Sequence, residues 1–218
     1  MSQHSKALAI LTFGFAVAVG ALVFAREVIA VAGEADAERL HRAILTYVAA
    51  KNPQAPIKAF QRFPEILVAE AQRTNLDHCL ALAQAEVESE FRHDAVGAAG
   101  EIGIFQMLPS TAALFESRLG KLRRPQVVNG KRELGDLADP TVSTRFAMAY
   151  LRDIMARRSN VRDALIEYNG GPAGRHPQYY RTVMGAYVEV LERSELRCRY
   201  RAAPPSSPGP VLTLLSGV

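Results

Sequence analysis

The sequence predicts an all-helical domain with a short extension at each end. Through the middle of the chain, apolar residues recur at the spacing of helices that bury one face. No stretch alternates polar and apolar residues as a half-buried strand does, and no internal repeat is present. With 218 residues and 49% hydrophobic content, the chain can form one substantial core, which excludes a disordered protein.

The first extension, 1–33, contains an uncharged apolar segment at 7–25. This segment nearly spans a bilayer and exceeds the apolar part of a usual signal peptide, so we favour a transmembrane anchor. A cleaved signal peptide is the alternative, with Ala35–Ala37 as its processing site. Both interpretations export the chain.

A helical spacer is predicted for 34–62, with helical periodicity up to Pro53. It is either a helix that packs on the domain or a spacer beside the membrane. The main domain is assigned to 63–195, and its first helix is expected to start near Pro64 and to end at Asn75.

The next helix carries the candidate chemistry. Leu80, Val87 and Phe91 form its apolar stripe. At roughly 100° per residue, Glu88 and Glu90 lie on opposite flanks of that stripe. A carboxyl group at the edge of an apolar surface has its charged form disfavoured, which raises its pKa and lets it carry a proton near neutral pH.

Of these two carboxylates, Glu88 is the better candidate for a general acid. Ala81 and Ala85 lie on its side of the helix and leave room for a ligand. The alternative is a solvated surface glutamate, which the pattern alone favours.

Three further helices are predicted beyond the glycine-rich turn and the apolar run that follows it. They cover 146–155, 161–168 and 179–191, and the second breaks at 169–172. The break exposes backbone to a groove. The last segment, 196–218, is rich in proline, so we expect a flexible, disordered tail.

Several classes of site are disfavoured. Gly97, Gly100 and Gly103 do not have the spacing of a phosphate-binding loop, and no motif has metal-ligand spacing, so we predict neither cofactor nor metal. The basic segment 118–133 has no aromatic residues among its charges, which predicts a solvated connector rather than a nucleic-acid site. A net charge of +4 and a pI of about 9.2 suit an anionic wall polymer or a phospholipid surface.

Cys79 and Cys198 are the only cysteines. In an exported chain they can pair, but sequence separation does not reveal spatial proximity. A disulfide and two unpaired thiols, with Cys79 a small buried residue, therefore remain alternatives.

Three motifs occur in a fixed order: Glu88-Ser89, GIFQMLPSTA at 103–112 and YNGGP at 168–172. Asp139-Pro140 and Tyr150-Leu151 lie between the second and the third. Together these residues resemble the signatures of the SLT-type, family 1-like lytic transglycosylases, relatives of goose-type lysozyme that cleave peptidoglycan. The resemblance covers about 63–191.

The sequence departs from the pattern of that family at several positions. Phe105 and Met107 replace the usual Met and Ile, Glu101 and Glu167 occupy common alanine positions, as does Gly170, and Ser143 replaces a common Asn. Glu167 places an extra carboxylate beside Tyr168. We expect Glu167 to point outward, because successive helix residues diverge, and to be dispensable.

The resemblance implies a lysozyme-like helical fold and cleavage of the β-1,4 bond between N-acetylmuramic acid and N-acetylglucosamine. Glu88 would protonate the bond oxygen and then accept the proton of the C6 hydroxyl, closing a 1,6-anhydro ring without water. One glutamate is enough where an N-acetyl group of the substrate replaces the second carboxylate.

The resemblance also implies a set of substrate-binding residues. Gln106 would hydrogen-bond the sugar, Tyr168 and Asn169 would line the groove, and Tyr179, or its neighbour Tyr180, would lie near the acid. Ser89, Phe105 and Met107 complete the set. Without the resemblance, helix capping would explain Gln106 and Asn169, and core packing would explain the tyrosines.

Two other functions remain open. One is a hydrolytic muramidase on the same fold, with Glu101 or Glu167 as the extra carboxylate that places a water. The other is a wall-binding component of a secretion or envelope complex. For each function we expect a periplasmic or cell-envelope location, contact with peptidoglycan glycan strands, attachment to the inner membrane through 7–25, and no nucleic-acid partner.

Overall fold

A computed structural model describes residues 33–158, 160–174 and 176–199, and most of them are helical. In chain order the helices are α1 (33–51), α2 (Phe63–Arg73), α3 (His78–Ser89), α4 (Pro109–Ala113), α5 (Glu116–Leu119), α6 (Pro140–Arg157), α7 (Val161–Gly170) and α8 (Gln178–Leu191). Short 3-10 helices lie at Ile57–Phe60, Asp136–Ala138 and Ser194–Leu196. The predicted helical class is confirmed for these residues.

The chain divides into two compact units, 1–42 and 43–218. In the first unit, the described residues are helical, and the exposed side chains of Arg42 and Glu38 form an ion pair of 2.7 Å one turn apart. Such exposed pairs add little to stability.

The second unit begins with the last turns of α1. Ile44 and Val48 have no exposed surface. The Tyr47 hydroxyl donates to the Glu86 carboxylate, and Lys51 Nζ lies 2.6 Å from Glu86 Oε1. Residues 43–51 therefore pack into the domain rather than standing apart from it.

Helix α3 runs through the middle of the core of the second unit. The Asp77 side chain caps it by accepting a hydrogen bond from the Cys79 amide (3.1 Å). Leu82 and Ala83 have no exposed surface. Because α3 packs against both α2 and α8, apolar and small residues occupy most of its positions.

Helix α3 is shorter than its apolar stripe predicts. It ends at Ser89, and Glu90 and Phe91 have φ values of 52° and 56°, in the left-handed region. The Glu90 amide donates to the Glu86 carbonyl (2.7 Å) in this turn. Phe91 still reaches the core, where its ring lies edge-on to Phe63 with centroids 6.4 Å apart.

A disulfide joins Cys79 to Cys198. Of the two alternatives that the sequence left open, the structure shows the bonded one. The bond ties the start of α3 to the segment that follows α8. Helices α3 and α8 are also joined directly, because the Tyr187 hydroxyl of α8 donates to Oδ2 of Asp77, the N-cap residue of α3 (2.7 Å).

A second group of buried side chains holds the loop after α3 against α6. Its buried members are Ile102, Met107, Ala112, Phe115, Leu137, Phe146 and Ala149. This group fixes the position of the loop relative to α6, which matters because both elements line the cavity described below.

A β-hairpin is present that the sequence analysis did not predict. Strands β1 (Gln126–Val128) and β2 (Lys131–Glu133) pair antiparallel, with Val127 opposite Arg132. Asn129 and Gly130 between them both have positive φ, as a two-residue hairpin turn requires. Every residue of both strands is exposed, so no alternation of polar and apolar residues marked them in the sequence.

Within 33–158, 160–174 and 176–199, no helix combines the length and apolar character needed to cross a membrane. The anchor predicted at 7–25 and residues 200–218 of the tail predicted at 196–218 lie outside the described residues. At the start of that tail the prediction of a flexible segment is wrong, because Leu196 is buried and Cys198 is held in the disulfide.

The prediction that Glu167 points outward is wrong. The Glu167 side chain is buried, with 3% of the residue exposed, and its carboxylate accepts hydrogen bonds from Arg157 (2.7 Å) and Arg158 (2.5 Å) at the end of α6. The Glu167 and Tyr168 side chains do point in different directions around α7, but the direction of Glu167 leads to α6 and not to solvent. Burial raises the pKa of the Glu167 carboxyl, but the hydrogen bonds from the two guanidinium groups outweigh burial and hold that pKa below its ordinary value.

We predict that Glu167→Ala lowers the free energy of unfolding at neutral pH by about 1–3 kcal/mol, less than for a fully buried pair because both arginines are half-exposed. Since the folded-state pKa of Glu167 is depressed, this contribution is present at neutral pH and is lost as pH falls through that pKa. Urea unfolding at about pH 7 and about pH 3 measures the difference. The exposed Glu192→Ala is the control, and equal stability of wild type and Glu167→Ala at neutral pH would contradict the prediction.

We also predict that the double variant Cys79→Ser, Cys198→Ser is less stable than the oxidised wild type by about 2–5 kcal/mol, because the disulfide closes a loop with a sequence separation of 119 residues. Urea unfolding should give the same result for this variant and for wild type in reductant. A variant as stable as the oxidised wild type would show that the bond contributes nothing.

Candidate active site

Glu88, in the last turn of α3, lines an open cavity of about 420 Å³. The structure brings five of the predicted site residues to this cavity: Glu88, Gln106, Met107, Tyr168 and Asn169. The other three, Ser89, Phe105 and Tyr179, are buried and support its walls from behind.

The end of α3 is bonded to the loop that follows it. Ser89 is 2% exposed, and its hydroxyl donates to the carbonyls of Ile104 (3.0 Å) and Ala85 (3.3 Å). Ser89 therefore holds the loop against the helix turn that carries Glu88. Its position behind the wall does not let it touch a ligand in the cavity.

Two glycines allow the loop to fold closely. At Gly103, φ is 81°, and a Cβ atom would lie 2.1 Å from the Leu137 carbonyl oxygen. At Gly97, a Cβ atom would lie 2.3 Å from Glu101 Oε2 and 2.8 Å from Gln106 Oε1. The contact at Gly103 is with backbone, so the loop depends on glycine there, whereas at Gly97 the close atoms are the ends of the Glu101 and Gln106 side chains, which would have to move.

Gln106 lies at the turn of this loop. Its φ of 43° is in the left-handed region, and its Nε2 donates to the carbonyls of Gly103 (2.9 Å) and Ala95 (3.3 Å). Because the amide nitrogen bonds to the loop, the amide oxygen is the group that Gln106 can offer to a ligand.

The hydroxyl of Tyr179, in the first turn of α8, donates to Glu88 Oε1 at 2.5 Å. The neighbouring Tyr180 instead lines a separate, mostly apolar cavity of about 210 Å³, together with Met184 and Tyr187. The tyrosine beside Glu88 is therefore Tyr179 and not Tyr180.

Tyr168 connects α7 to the loop. Its hydroxyl donates to the Phe105 carbonyl (3.0 Å), and its ring packs against Tyr150 of α6 with centroids 5.3 Å apart. Phe105 has no exposed surface, so it contributes a backbone acceptor and core packing rather than a side chain in the cavity. Asn169 is exposed at the rim.

The environment of Glu88 favours its protonated form near neutral pH. Burial raises the pKa of the Glu88 carboxyl to about 7, the hydrogen bond from Tyr179 lowers it, and the charge of Glu101 raises it. Burial and the charge of Glu88 raise the pKa values of Tyr168 and Tyr179 well above the ordinary value, so both stay neutral phenols at pH 7. Glu88 can therefore give and take a proton, with Tyr179 as a permanent hydrogen-bond donor.

Two titratable residues that line the cavity, Glu101 and Tyr150, are absent from the predicted set of catalytic and substrate-binding residues. Glu101 lines the cavity with Oε2 accepting from the Ala99 amide (3.0 Å), and Tyr150 lines it from α6. Glu101 could have been found from the sequence, because it occupies a position that is commonly alanine in the family. Tyr150 lies on the amphipathic face of its helix, and apolar periodicity does not separate a core tyrosine from one that lines a cavity.

The described residues contain one group of side chains with metal-ligating atoms close together, Asp77, Cys79 and Cys198. Both sulfurs are in the disulfide, so neither is a thiolate that could bind a metal. This group does not line the cavity at Glu88.

The chain is similar to solved structures of lytic transglycosylases. It is similar to an inactive mutant of the lytic transglycosylase Slt from Pseudomonas aeruginosa, with 23% identity and a TM-score of 0.48 over 66% of this chain and 26% of that one. It is also similar to the 70 kDa soluble lytic transglycosylase from Escherichia coli, with 22% identity and a TM-score of 0.44 over 72% of this chain and 27% of that one. The chain thus spans about a quarter of the length of these proteins.

No curated protein sequence matches the chain. The family model described as the transglycosylase SLT domain matches residues 65–184, which is more than half of the 218 residues. The chain therefore belongs to the transglycosylase SLT domain family.

Proposed function

We propose that this protein is a lytic transglycosylase that cleaves the β-1,4 bond between N-acetylmuramic acid and N-acetylglucosamine in peptidoglycan. The observation that carries the proposal is Glu88, a partly buried carboxyl with a pKa raised to about 7, hydrogen-bonded by Tyr179 at an open cavity of an SLT domain. A cavity that is open rather than enclosed suits a polymer that extends beyond both ends of the site.

In the proposed reaction, protonated Glu88 gives its proton to the glycosidic oxygen as the bond from that oxygen to C1 of N-acetylmuramic acid breaks. The carbonyl oxygen of the N-acetyl group stabilises the positive charge at C1, in place of a second carboxylate. The C6 hydroxyl oxygen then bonds to C1 while the Glu88 carboxylate takes the hydroxyl proton. The product ends in a 1,6-anhydro ring, no water is consumed, and Glu88 is protonated again.

The remaining predicted residues have two kinds of role in this proposal. Gln106, Met107, Tyr168 and Asn169 line the cavity and would contact sugar or acetamido groups. Ser89 and Phe105 would support the cavity from behind its wall, Ser89 through its hydroxyl, which donates to the Ile104 carbonyl, and Phe105 through its carbonyl, which accepts from Tyr168. Tyr179 would keep the ionised form of Glu88 hydrogen-bonded between the two proton transfers.

We place the protein in the periplasm or cell envelope, attached to the inner membrane through 7–25, with a cleaved signal peptide as the alternative. The Cys79–Cys198 disulfide supports an oxidising compartment. A net charge of +4 favours contact with anionic wall polymers. The class of partner that we propose is a secretion or assembly complex that spans the envelope, because such a complex needs peptidoglycan to be cleaved where it passes through the wall.

The second candidate is a hydrolytic muramidase, and the position of Glu101 favours it. Glu101 lies in the same cavity as Glu88, and its charge raises the pKa of Glu88. A second carboxylate that activates a water is what a hydrolase of this kind needs. Glu167 cannot serve in this way, because its carboxylate is held by two arginines. A wall-binding component without activity would not require the proton-carrying environment of Glu88.

The experiment is digestion of purified peptidoglycan by the full-length chain, followed by mass spectrometry of the released muropeptides. We predict 1,6-anhydro ends. Glu88→Gln should lower the rate by about 100-fold to 10,000-fold while leaving folding intact, because it replaces the acid with a neutral group of the same shape.

The matched control is Glu90→Gln, since Glu90 is exposed two residues away and does not line the cavity. Reducing ends in place of anhydro ends would establish the hydrolase instead. Full activity of Glu88→Gln, or an equal loss in Glu90→Gln, would overturn the assignment of the acid.

A further inference from the structure

Gln84 is a buried polar residue for which the reaction above has no use. It lies on α3 one turn before Glu88 and has no exposed surface. Neither its amide oxygen nor its amide nitrogen has a hydrogen-bond partner of normal length and angle. A buried amide without a partner destabilises a fold, so its presence in the centre of the core needs a physical reason.

The position of Gln84 indicates that reason. Residues four apart on a helix share a face, so Gln84 and Glu88 are neighbours along α3, and α8 packs against α3. Tyr179 reaches this region from α8, where its hydroxyl donates to Glu88 Oε1 (2.5 Å). Burial and the charge of Glu88 raise the pKa of the Tyr179 phenol, whereas the Gln84 amide lowers it, which is the effect of a donor close to the hydroxyl oxygen.

We propose that Gln84 is a positioning residue, whose amide N–H donates to the Tyr179 oxygen and thereby directs the single hydroxyl proton of Tyr179 at Glu88. The proposal rests on the proposed function of Glu88 as acid and base. A tyrosine hydroxyl has one proton to give and lone pairs to accept with. If a donor occupies the lone pairs on one side, the hydroxyl proton is left for the carboxylate on the other.

Among the residues that the structure describes, none of the titratable groups facing Glu88 supplies that donor. The titratable groups that face Glu88 are Tyr179 from α8, Tyr168 from α7 and Glu101 from the loop. The Tyr168 hydroxyl donates its proton to the Phe105 carbonyl, and an ionised Glu101 has no proton to donate. Gln84 is therefore the group that can orient the Tyr179 hydroxyl.

The alternative is that Gln84 only fills space in the core. The two interpretations differ for Gln84→Met, which keeps the length of the side chain and removes the amide. Because the amide oxygen of Gln84 has no partner in the core, removing the whole amide offsets the loss of the bond to Tyr179, and the variant should unfold at about the same urea concentration as wild type. A space-filling residue would then leave the titration of Glu88 and the pH dependence of the reaction unchanged.

The test compares full-length wild type, Gln84→Met, Tyr179→Phe and the double variant. The titration of the Glu88 carboxyl is followed by ¹³C NMR, and kcat on peptidoglycan is measured as a function of pH. We expect Gln84→Met to lower kcat by about 2- to 10-fold, the effect of one hydrogen bond, and to move the Glu88 midpoint upward, since a poorly directed Tyr179 stabilises the carboxylate less. Tyr179→Phe should move the midpoint in the same direction, and the double variant should add nothing to it.

The exposed Gln72→Met on α2 is the control. An unchanged Glu88 midpoint and pH profile in Gln84→Met, or additive effects in the double variant, would overturn the proposal. If Gln84→Met does not fold, Gln84→Leu answers the same question. The NMR titration needs no substrate, so a protein that fails to cleave peptidoglycan but shows the shifted midpoint would refute the proposed function and not the role of Gln84.

Discussion

The site depends on one physical constraint, the removal of the Glu88 carboxyl from water at the end of a buried helix. A carboxyl in water is ionised at neutral pH, whereas burial raises the pKa of Glu88 to about 7. The hydrogen bond from Tyr179 at 2.5 Å opposes this shift and keeps the carboxylate form accessible. Burial and this single donor together produce a group that can lose and regain a proton in one reaction cycle.

Much of the surrounding structure keeps Tyr179 and Glu88 together. Tyr179 belongs to α8 and Glu88 to α3, so their distance depends on how these helices are joined. The disulfide between Cys79 and Cys198 and the hydrogen bond from Tyr187 to Asp77 both join them at the end of α3 opposite Glu88. Near the site, the bond from Ser89 to Ile104 holds the loop. The residues that fix the geometry are thus mostly outside the cavity.

Helical periodicity was enough to place the main helices and to put Glu88 and Glu90 on the flanks of the apolar stripe, and the small residues Ala81 and Ala85 favoured Glu88. Periodicity within one helix could not show which residues of other helices its side chains contact. Glu167 was expected in solvent because α7 was considered alone, whereas Arg157 and Arg158 of another helix bind it. The Cys79–Cys198 bond and the pairing of Tyr179 with Glu88 likewise depend on contacts distant in sequence.

The hairpin and Gln84 escaped prediction for a different reason. Both strands are exposed on each face and lack an apolar pattern, so the hairpin depends on the turn at Asn129 and Gly130. Gln84 is a polar residue at a fully buried position, which pattern analysis assigns to the surface. Violations of this kind tend to accompany functional sites, because a local rule is broken there in favour of the chemistry.

The most direct test of the central claim is the difference in unfolding free energy between wild type and Glu88→Gln, measured by urea unfolding from about pH 4 to about pH 8. Because the folded-state pKa of Glu88 is raised from 4.5 to about 7, ionisation costs more in the folded than in the unfolded protein. Wild type should therefore lose about 3 kcal/mol relative to Glu88→Gln as pH rises through this window, with no further change above it. A difference that does not vary with pH would show that the Glu88 carboxyl is not held out of water.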